Sequence, residues 1–178
     1  MPPNETKQPY FLWLDLEMTG LEATTDRILE AAVIVSNHDW EEVFLWESAV
    51  VQPKEVLAGM NEWCQTHHKE SGLLDRIPTG ITEAELDEKL ADIVSNHWGE
   101  VPAILCGNSI HQDRKFVDQW LPQFASKLHY RMLDVSSFKV AFQELYDLRF
   151  EKKNAHRALD DIRESITEFR FYLERVAS

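Results

Sequence analysis

The stretch Tyr10–Glu17 is apolar at six of its eight positions and closes on two acids, Asp15 and Glu17. Alternate residues of a strand face opposite sides. Phe11 and Trp13 therefore make one face apolar, and Leu12, Leu14 and Leu16 the other. A strand that is greasy on both faces belongs in the middle of a sheet covered on both sides. A chain of 178 residues is long enough to bury such a layered core as one domain.

The order of segments sets how that sheet is wired. Arg27–Val35 is rich in β-branched residues and reads as a second strand, followed by turn chemistry at Asn37-His38-Asp39. Val43–Val51 is a third, closed by Gln52-Pro53. Three successive strands with short links predict an antiparallel meander. Beyond them, Glu55–Thr66 reads as a helix, and Thr82 with Glu85 has the spacing of a capping box opening a helix to about His97. Ala103–Cys106 is a short buried strand, His111–Leu121 a helix stopping near Pro122, and Arg131–Val135 another strand. Ser136–Tyr146 and Ala158–Val176 complete the chain as helices. Strands separated by helices pair in parallel. The expected class is α/β: a mixed sheet, three antiparallel strands followed by parallel ones, with helices on its faces and ligands at the carboxyl ends of the central strands. Residues 1–9 read as a loose polar lead-in to this single domain.

Charge limits the partners. Eighteen Lys and Arg stand against 31 Asp and Glu, a net charge of −13. Such a chain repels a long duplex, whose binding draws on phosphate neutralisation by basic residues. Its carboxylates suit hard divalent cations. The longest apolar runs, Tyr10–Leu14 and Ala31–Val35, are too short for a membrane span, and the first residues lack the pattern of a secretory signal. Cys64 and Cys106 belong to no metal-binding spacing and read as two buried, reduced thiols of a cytoplasmic protein, with a disulfide between them left open.

Four acids stand out. Asp15 and Glu17 share a strand face, where two desolvated carboxylates need a cation or a raised pKa unless the strand end is solvated. Asp113 falls in the middle of the apolar stripe that includes Phe116 and Val117, a placement the helix dipole alone does not explain. On the last helix, Asp160 points away from the stripe of Leu159, Ile162, Ile166 and Phe169, whereas Asp161 lies at its edge, where a cleft ligand belongs. His156 precedes this helix. Carboxylates from three elements plus one histidine suit two divalent ions about 4 Å apart acting on a phosphodiester, with the imidazole taking a proton from water. Mg²⁺ or Mn²⁺ is the expected metal.

At these residues the sequence resembles the DEDDh 3′→5′ exonucleases, and within them the oligoribonucleases. The resemblance rests on Asp15-Leu16-Glu17-Met18-Thr19-Gly20-Leu21, on Gly107-Asn108-Ser109-Ile110-His111-Gln112-Asp113, and on His156-Arg157-Ala158-Leu159-Asp160-Asp161. Tyr130-Arg131-Met132-Leu133-Asp134-Val135-Ser136 and the segment from Glu62-Trp63-Cys64 to Ser71-Gly72-Leu73 extend it over nearly the whole chain. It implies an RNase H-like fold, a homodimer, and release of 5′-mononucleotides from the 3′ end of very short RNA, down to dinucleotides. It assigns Asp15, Glu17, Asp113 and Asp161 to two metal ions and His156 to the general base.

The resemblance also implies substrate contacts. Leu21 looks like a wedge against the bases and Trp63 like a stacking aromatic, though a buried helix aromatic is the alternative. His68, Ser109, Arg131 and Ser136 look like a cap on a 5′ phosphate, and Tyr130 like a tyrosine reaching the partner subunit's site. His68 is chosen over its neighbour His67 by counting from Trp63. Ser136 could instead cap the helix it begins, and Arg131 could pair with a surface acid. A few focused donors can hold a short anion on an acidic protein that offers a long strand no basic track. A nuclease for longer strands and an exonuclease fold kept only for protein binding are the competing readings.

Overall fold

The computed structural model describes residues 8–151 and 157–176. His156 lies outside them, as does most of the lead-in. Five strands form one sheet: β1 (Phe11–Met18), β2 (Ile28–Ser36), β3 (Glu42–Ala49), β4 (Ala103–Gly107) and β5 (Leu128–Asp134), in the spatial order β3-β2-β1-β4-β5. The strand beginning near Tyr10 is thus the middle one, as its two apolar faces require. β1, β2 and β3 pair antiparallel, and β1, β4 and β5 pair in parallel. The helices are α1 (Lys54–Ala58), α2 (Glu62–Glu70), α3 (Leu73–Arg76), α4 (Glu83–Trp98), α5 (His111–Trp120), α6 (Pro122–Ser126), α7 (Val135–Tyr146) and α8 (Ala158–Val176). Among the described residues no helix is long and apolar enough to cross a membrane.

Helices cover both faces, as expected. Leu12, Leu14 and Leu16 of β1 pack with Leu86, Leu90, Val94 and Trp98 of α4 and with Phe116, Val117 and Phe124 of α5 and α6. Trp13 faces the other way, with Ala32, Ile34 and Cys106, onto Phe142 of α7 and Ile162, Ile166, Phe169 and Tyr172 of α8. The Trp13 indole N–H donates to Ser36 Oγ at 3.0 Å, so this fully buried ring leaves no orphaned donor. Each large side chain buried this way stabilises the fold by roughly 1.5–3 kcal/mol. Asp15 and Glu17 share Trp13's side of the strand, at its carboxyl end, just beyond the apolar layer.

The segment expected as one helix over Glu55–Thr66 is two. α1 ends at Gly59, and Asn61 restarts the chain by accepting the Cys64 N–H on its side chain at 2.9 Å. An Asn cap and a Gly at consecutive boundaries outweigh the helical pattern around them. α3 and the short 3₁₀ turn Ile77–Thr79 were not expected from the pattern. With α1 and α2 they form a small lobe whose Met60, Cys64, Leu73 and Ile77 pack on Leu29 and Ala49. α6 is likewise additional; Pro122 opens it, and the buried Asp87 accepts the N–H groups of Gln123 and Phe124. α7 starts one residue before Ser136 because Asp134 caps it. Both cysteines are free and buried.

β4 must come close to β1 for the site to form. A Cβ placed on Gly107 would sit 2.9 Å from the Leu14 carbonyl oxygen and 2.8 Å from Ile110 Cδ1. Gly107→Ala is expected to cost about 1–3 kcal/mol in urea unfolding; a variant as stable as the parent would show that this approach is not tight.

Candidate active site

β1 and α8 bring three carboxylates together. One oxygen from each of Asp15, Glu17 and Asp161 lies within 4.8 Å of the others. Asp160 is half exposed and interacts with Arg163 across one helical turn, at 3.5 Å, as the helical angles predict. Asp113 stands outside the 4.8 Å set but beside it. It is 7% exposed, and its Oδ1 accepts the Leu16 N–H, between the two acids of β1, at 2.9 Å. Opposite Asp15 on β2 is Ala32, whose small side chain leaves the carboxylate room.

The electrostatics are those of a site built for positive charge. Burial, then Asp113, Glu17, Asp161 and Glu30, push the Asp15 carboxyl well above its usual range. Burial, then Glu30, Asp161 and Asp113, raise Glu17 to about 7. Burial also raises Asp113, against the opposing pull of the Leu16 hydrogen bond. Like charges held this close and only partly solvated are stabilised by hard cations with oxygen ligands, and an all-carboxylate donor set fits Mg²⁺ or Mn²⁺.

Beside the acids is a cavity of about 390 Å³ lined by Leu16, Glu17, Met18, Gly20, Leu21, Asn61, Trp63, Cys64 and His68. That size suits one small ligand. Leu21 is 77% exposed and Trp63 68% exposed, so Trp63 is not a buried core aromatic. His67 stacks on Trp63 with ring centroids 4.8 Å apart and planes 10° from parallel.

His68 is placed differently from its neighbour. It is buried, and its Nε2–H donates to the Met18 carbonyl at 2.9 Å. Nδ1 then carries the lone pair; it has no hydrogen-bond partner and lies 3.8 Å from Glu17 Oε2. Burial holds its pKa below the usual value, against the Met18 bond. In this setting the ring braces the end of β1 against α2.

On the other side of the acids, Asp134 gathers two of the expected cap residues. Its Oδ1 accepts the Ser109 N–H at 2.9 Å and the Ser136 hydroxyl at 2.6 Å. Ser109 sits at φ 54°, a conformation rare for residues with a side chain, and this hydrogen bond helps hold it there. Asp134, not Ser136, is the residue that caps α7, accepting the Ser136 N–H at 3.0 Å. Arg131 is exposed, with its guanidinium 5.1 Å from the centre of the Tyr130 ring, and Tyr130 is 73% exposed. The structure therefore joins Asp15, Glu17 and Asp161 directly, sets Asp113 alongside, and links Ser109 to Ser136. The pattern gave no prior role to Asp134, Glu30 or Arg76. Glu30 had a signal: it is the one acid inside the apolar run Ile28–Val35.

A mixed sheet with its middle strand ending in clustered carboxylates defines the class as an exonuclease domain of RNase H-like fold. Residues 12–169 match the exonuclease family. The chain is 42% identical over 170 residues to the oligoribonuclease of Francisella tularensis subsp. tularensis, spanning 94% of this chain and 96% of that one. It is 40% identical over 178 residues to the oligoribonuclease of Paraburkholderia xenovorans, spanning 97% and 86%. Its fold resembles exonuclease I from Methylocaldum szegediense (TM-score 0.73, 16% identity, 93% of this chain) and E. coli exonuclease I in complex with an oligonucleotide (TM-score 0.70, 13% identity, 94%). It spans only 40% and 42% of the length of those two structures. The chain belongs to the exonuclease family, and within it to the oligoribonucleases.

The raised carboxyl of Glu17 has a thermodynamic consequence. An unfolded Glu releases its proton near 4.5, whereas folded Glu17 keeps it to about 7. Between these values the folded state holds more protons, so metal-free stability falls as pH rises. In EDTA, the melting temperature is expected to drop by several degrees from about pH 5 to about pH 7.5, at roughly 2–4 °C per kcal/mol, and Mn²⁺ should reverse the drop. A melting temperature that rises over this window, or ignores Mn²⁺, would contradict the assignment.

Proposed function

We propose that this chain is a metal-dependent 3′→5′ exoribonuclease that hydrolyses very short oligoribonucleotides, including dinucleotides, to 5′-mononucleotides. The observation that carries the reading is the convergence of Asp15, Glu17 and Asp161 beside a cavity rimmed by exposed Leu21 and Trp63. Names of relatives at 40–42% identity support the same substrate class.

In this reading Asp15, Glu17, Asp113 and Asp161 would hold two divalent cations, Mg²⁺ or Mn²⁺. When bound, these ions supply charge stabilisation to the attacking and leaving oxygens of the phosphodiester. The chain's own residues do the rest. Asp113 anchors the Leu16 amide and so fixes the spacing of Asp15 and Glu17. Leu21 and Trp63 orient the bases by packing and stacking, which tolerates any sequence. Ser109 and Arg131 hold the 5′ phosphate; the Ser136 hydroxyl, expected there as well, donates to Asp134, and His68, also expected there, gives its Nε2–H to the Met18 carbonyl and supports the floor of the pocket. His156, outside the described residues, takes the proton from the attacking water. The water oxygen bonds to phosphorus, the P–O3′ bond breaks, and the 3′ oxygen of the shortened strand takes up a proton. The products are a 5′-mononucleotide and an RNA one residue shorter.

The compact cavity and the net charge of −13 favour a ligand of two to a few nucleotides over a long strand. A homodimer belongs to this reading, and the exposure of Tyr130 on the outer strand β5 supports it. Two free buried thiols fit a cytoplasmic setting.

Two outcomes are expected. A ribodinucleotide is cleaved faster than a 20-mer in Mg²⁺ or Mn²⁺ and not at all in EDTA; equal or faster cleavage of the 20-mer overturns the length assignment. Asp113→Asn keeps an oxygen for the Leu16 amide and folds normally, yet loses about 100-fold or more in turnover, in line with a transition-state charge contact. A fully active, folded variant would remove Asp113 from the machinery.

A further inference from the structure

β2 is buried at all nine positions, and Glu30 is its one acid. It is 4% exposed. The strand register sets it directly opposite Glu17, and residues so paired have Cβ atoms about 4.5–5.5 Å apart on the same face. A fifth carboxylate therefore stands at the edge of the proposed cation site, though it is not part of the cluster of Asp15, Glu17 and Asp161. Left unpaired there, it would repel Glu17 or compete with it for the ions.

It is paired. Arg76, the last residue of α3, sets Nη1 2.5 Å from Glu30 Oε1. Burial raises the Glu30 carboxyl above its usual range; Arg76 is the main influence pulling it down, with a smaller upward push from Glu47 and a smaller pull from Arg157. Arg76 does not line the cavity beside the acids. Its side chain is about one-third exposed, so it remains partly hydrated while it neutralises a buried partner.

We propose that Arg76 is a positioning residue that withdraws the Glu30 carboxylate from the cation site, so that Glu17 alone meets the ions from that edge of the sheet. This rests on the cation reading of Asp15, Glu17 and Asp161, and it goes beyond it by assigning a role to a pair that touches neither substrate nor ion. A plain tether between α3 and the sheet would need the ion pair itself. Positioning by charge removal needs only that Glu30 be neutral.

The test is Mn²⁺ titration calorimetry without substrate, together with dinucleotide hydrolysis, on the full chain and on Arg76→Met and Glu30→Gln/Arg76→Met. With Glu30 freed, Arg76→Met is expected to bind Mn²⁺ about threefold or more tightly, because uncompensated negative charge is added beside the site. Its turnover should nevertheless fall about tenfold or more, because an ion drawn to Glu30 is misplaced for the reaction. The double variant should return to within about twofold of the parent in Mn²⁺ affinity and about threefold in turnover, as expected for two coupled sites. Unchanged or weaker Mn²⁺ binding by folded Arg76→Met, or a double variant as slow as the single one, overturns the proposal. Should Arg76→Met fail to fold, Arg76→Gln, which can still hydrogen-bond Glu30 but leaves its charge uncompensated, decides: tighter Mn²⁺ binding with slower turnover upholds the role, and unchanged or weaker binding rejects it. Absence of Mn²⁺ heat from the parent protein would instead remove the cation reading itself, which separates the two failures.

Discussion

The structure depends on a concentration of like charge at the end of its middle strand. Asp15 and Glu17 stand one and two pleats beyond Trp13, Asp161 comes in from α8, and Asp113 holds the Leu16 amide between them. None of these groups can spread out, because the strand between them is packed on both faces. The fold therefore stores electrostatic repulsion where its core is firmest. A divalent cation would relieve it, which would couple the stability of the site to its occupancy.

The surrounding elements read as devices for keeping that arrangement fixed. Leu16 donates its N–H to Asp113, and so the middle strand and α5 hold one another in register. His68 fastens Met18, immediately after the acids, to α2, the helix that also carries Trp63. Asp134 ties the strained Ser109 to the start of α7. The Leu16–Asp113, Met18–His68 and Ser109–Asp134 bonds join segments far apart in the chain, so geometry at the acids is tied to geometry at the substrate's expected contacts. Glu30 and Arg76 continue the pattern on the β2 side.

Much of the fold could be read from residue periodicity. The doubly apolar first strand foretold its place in the middle, and strands flanked by helices foretold the parallel half of the sheet. The angular position of Asp161 against Asp160 separated a clustered acid from a solvated one. What stayed hidden was local punctuation. Asn61 and Gly59 broke an apparently continuous helix, and Pro122 began a new helix instead of merely ending the old one. Tertiary hydrogen bonds were invisible for a different reason: Asp134 looks like any helix-flanking acid until Ser109 folds over it. His68 was separated from His67 in sequence only by counting from Trp63; its burial against the Met18 carbonyl, with His67 stacked on Trp63, was not legible there. Family resemblance carried the substrate contacts further than pattern could, and it is the source of the role assigned to His156.

The central claim is that these acids form one cation site. Anomalous diffraction from a crystal grown with Mn²⁺ tests it most directly. The account predicts a peak within coordinating distance of Asp15, Glu17 and Asp161 together. Ordered carboxylates with no anomalous peak between them would contradict it.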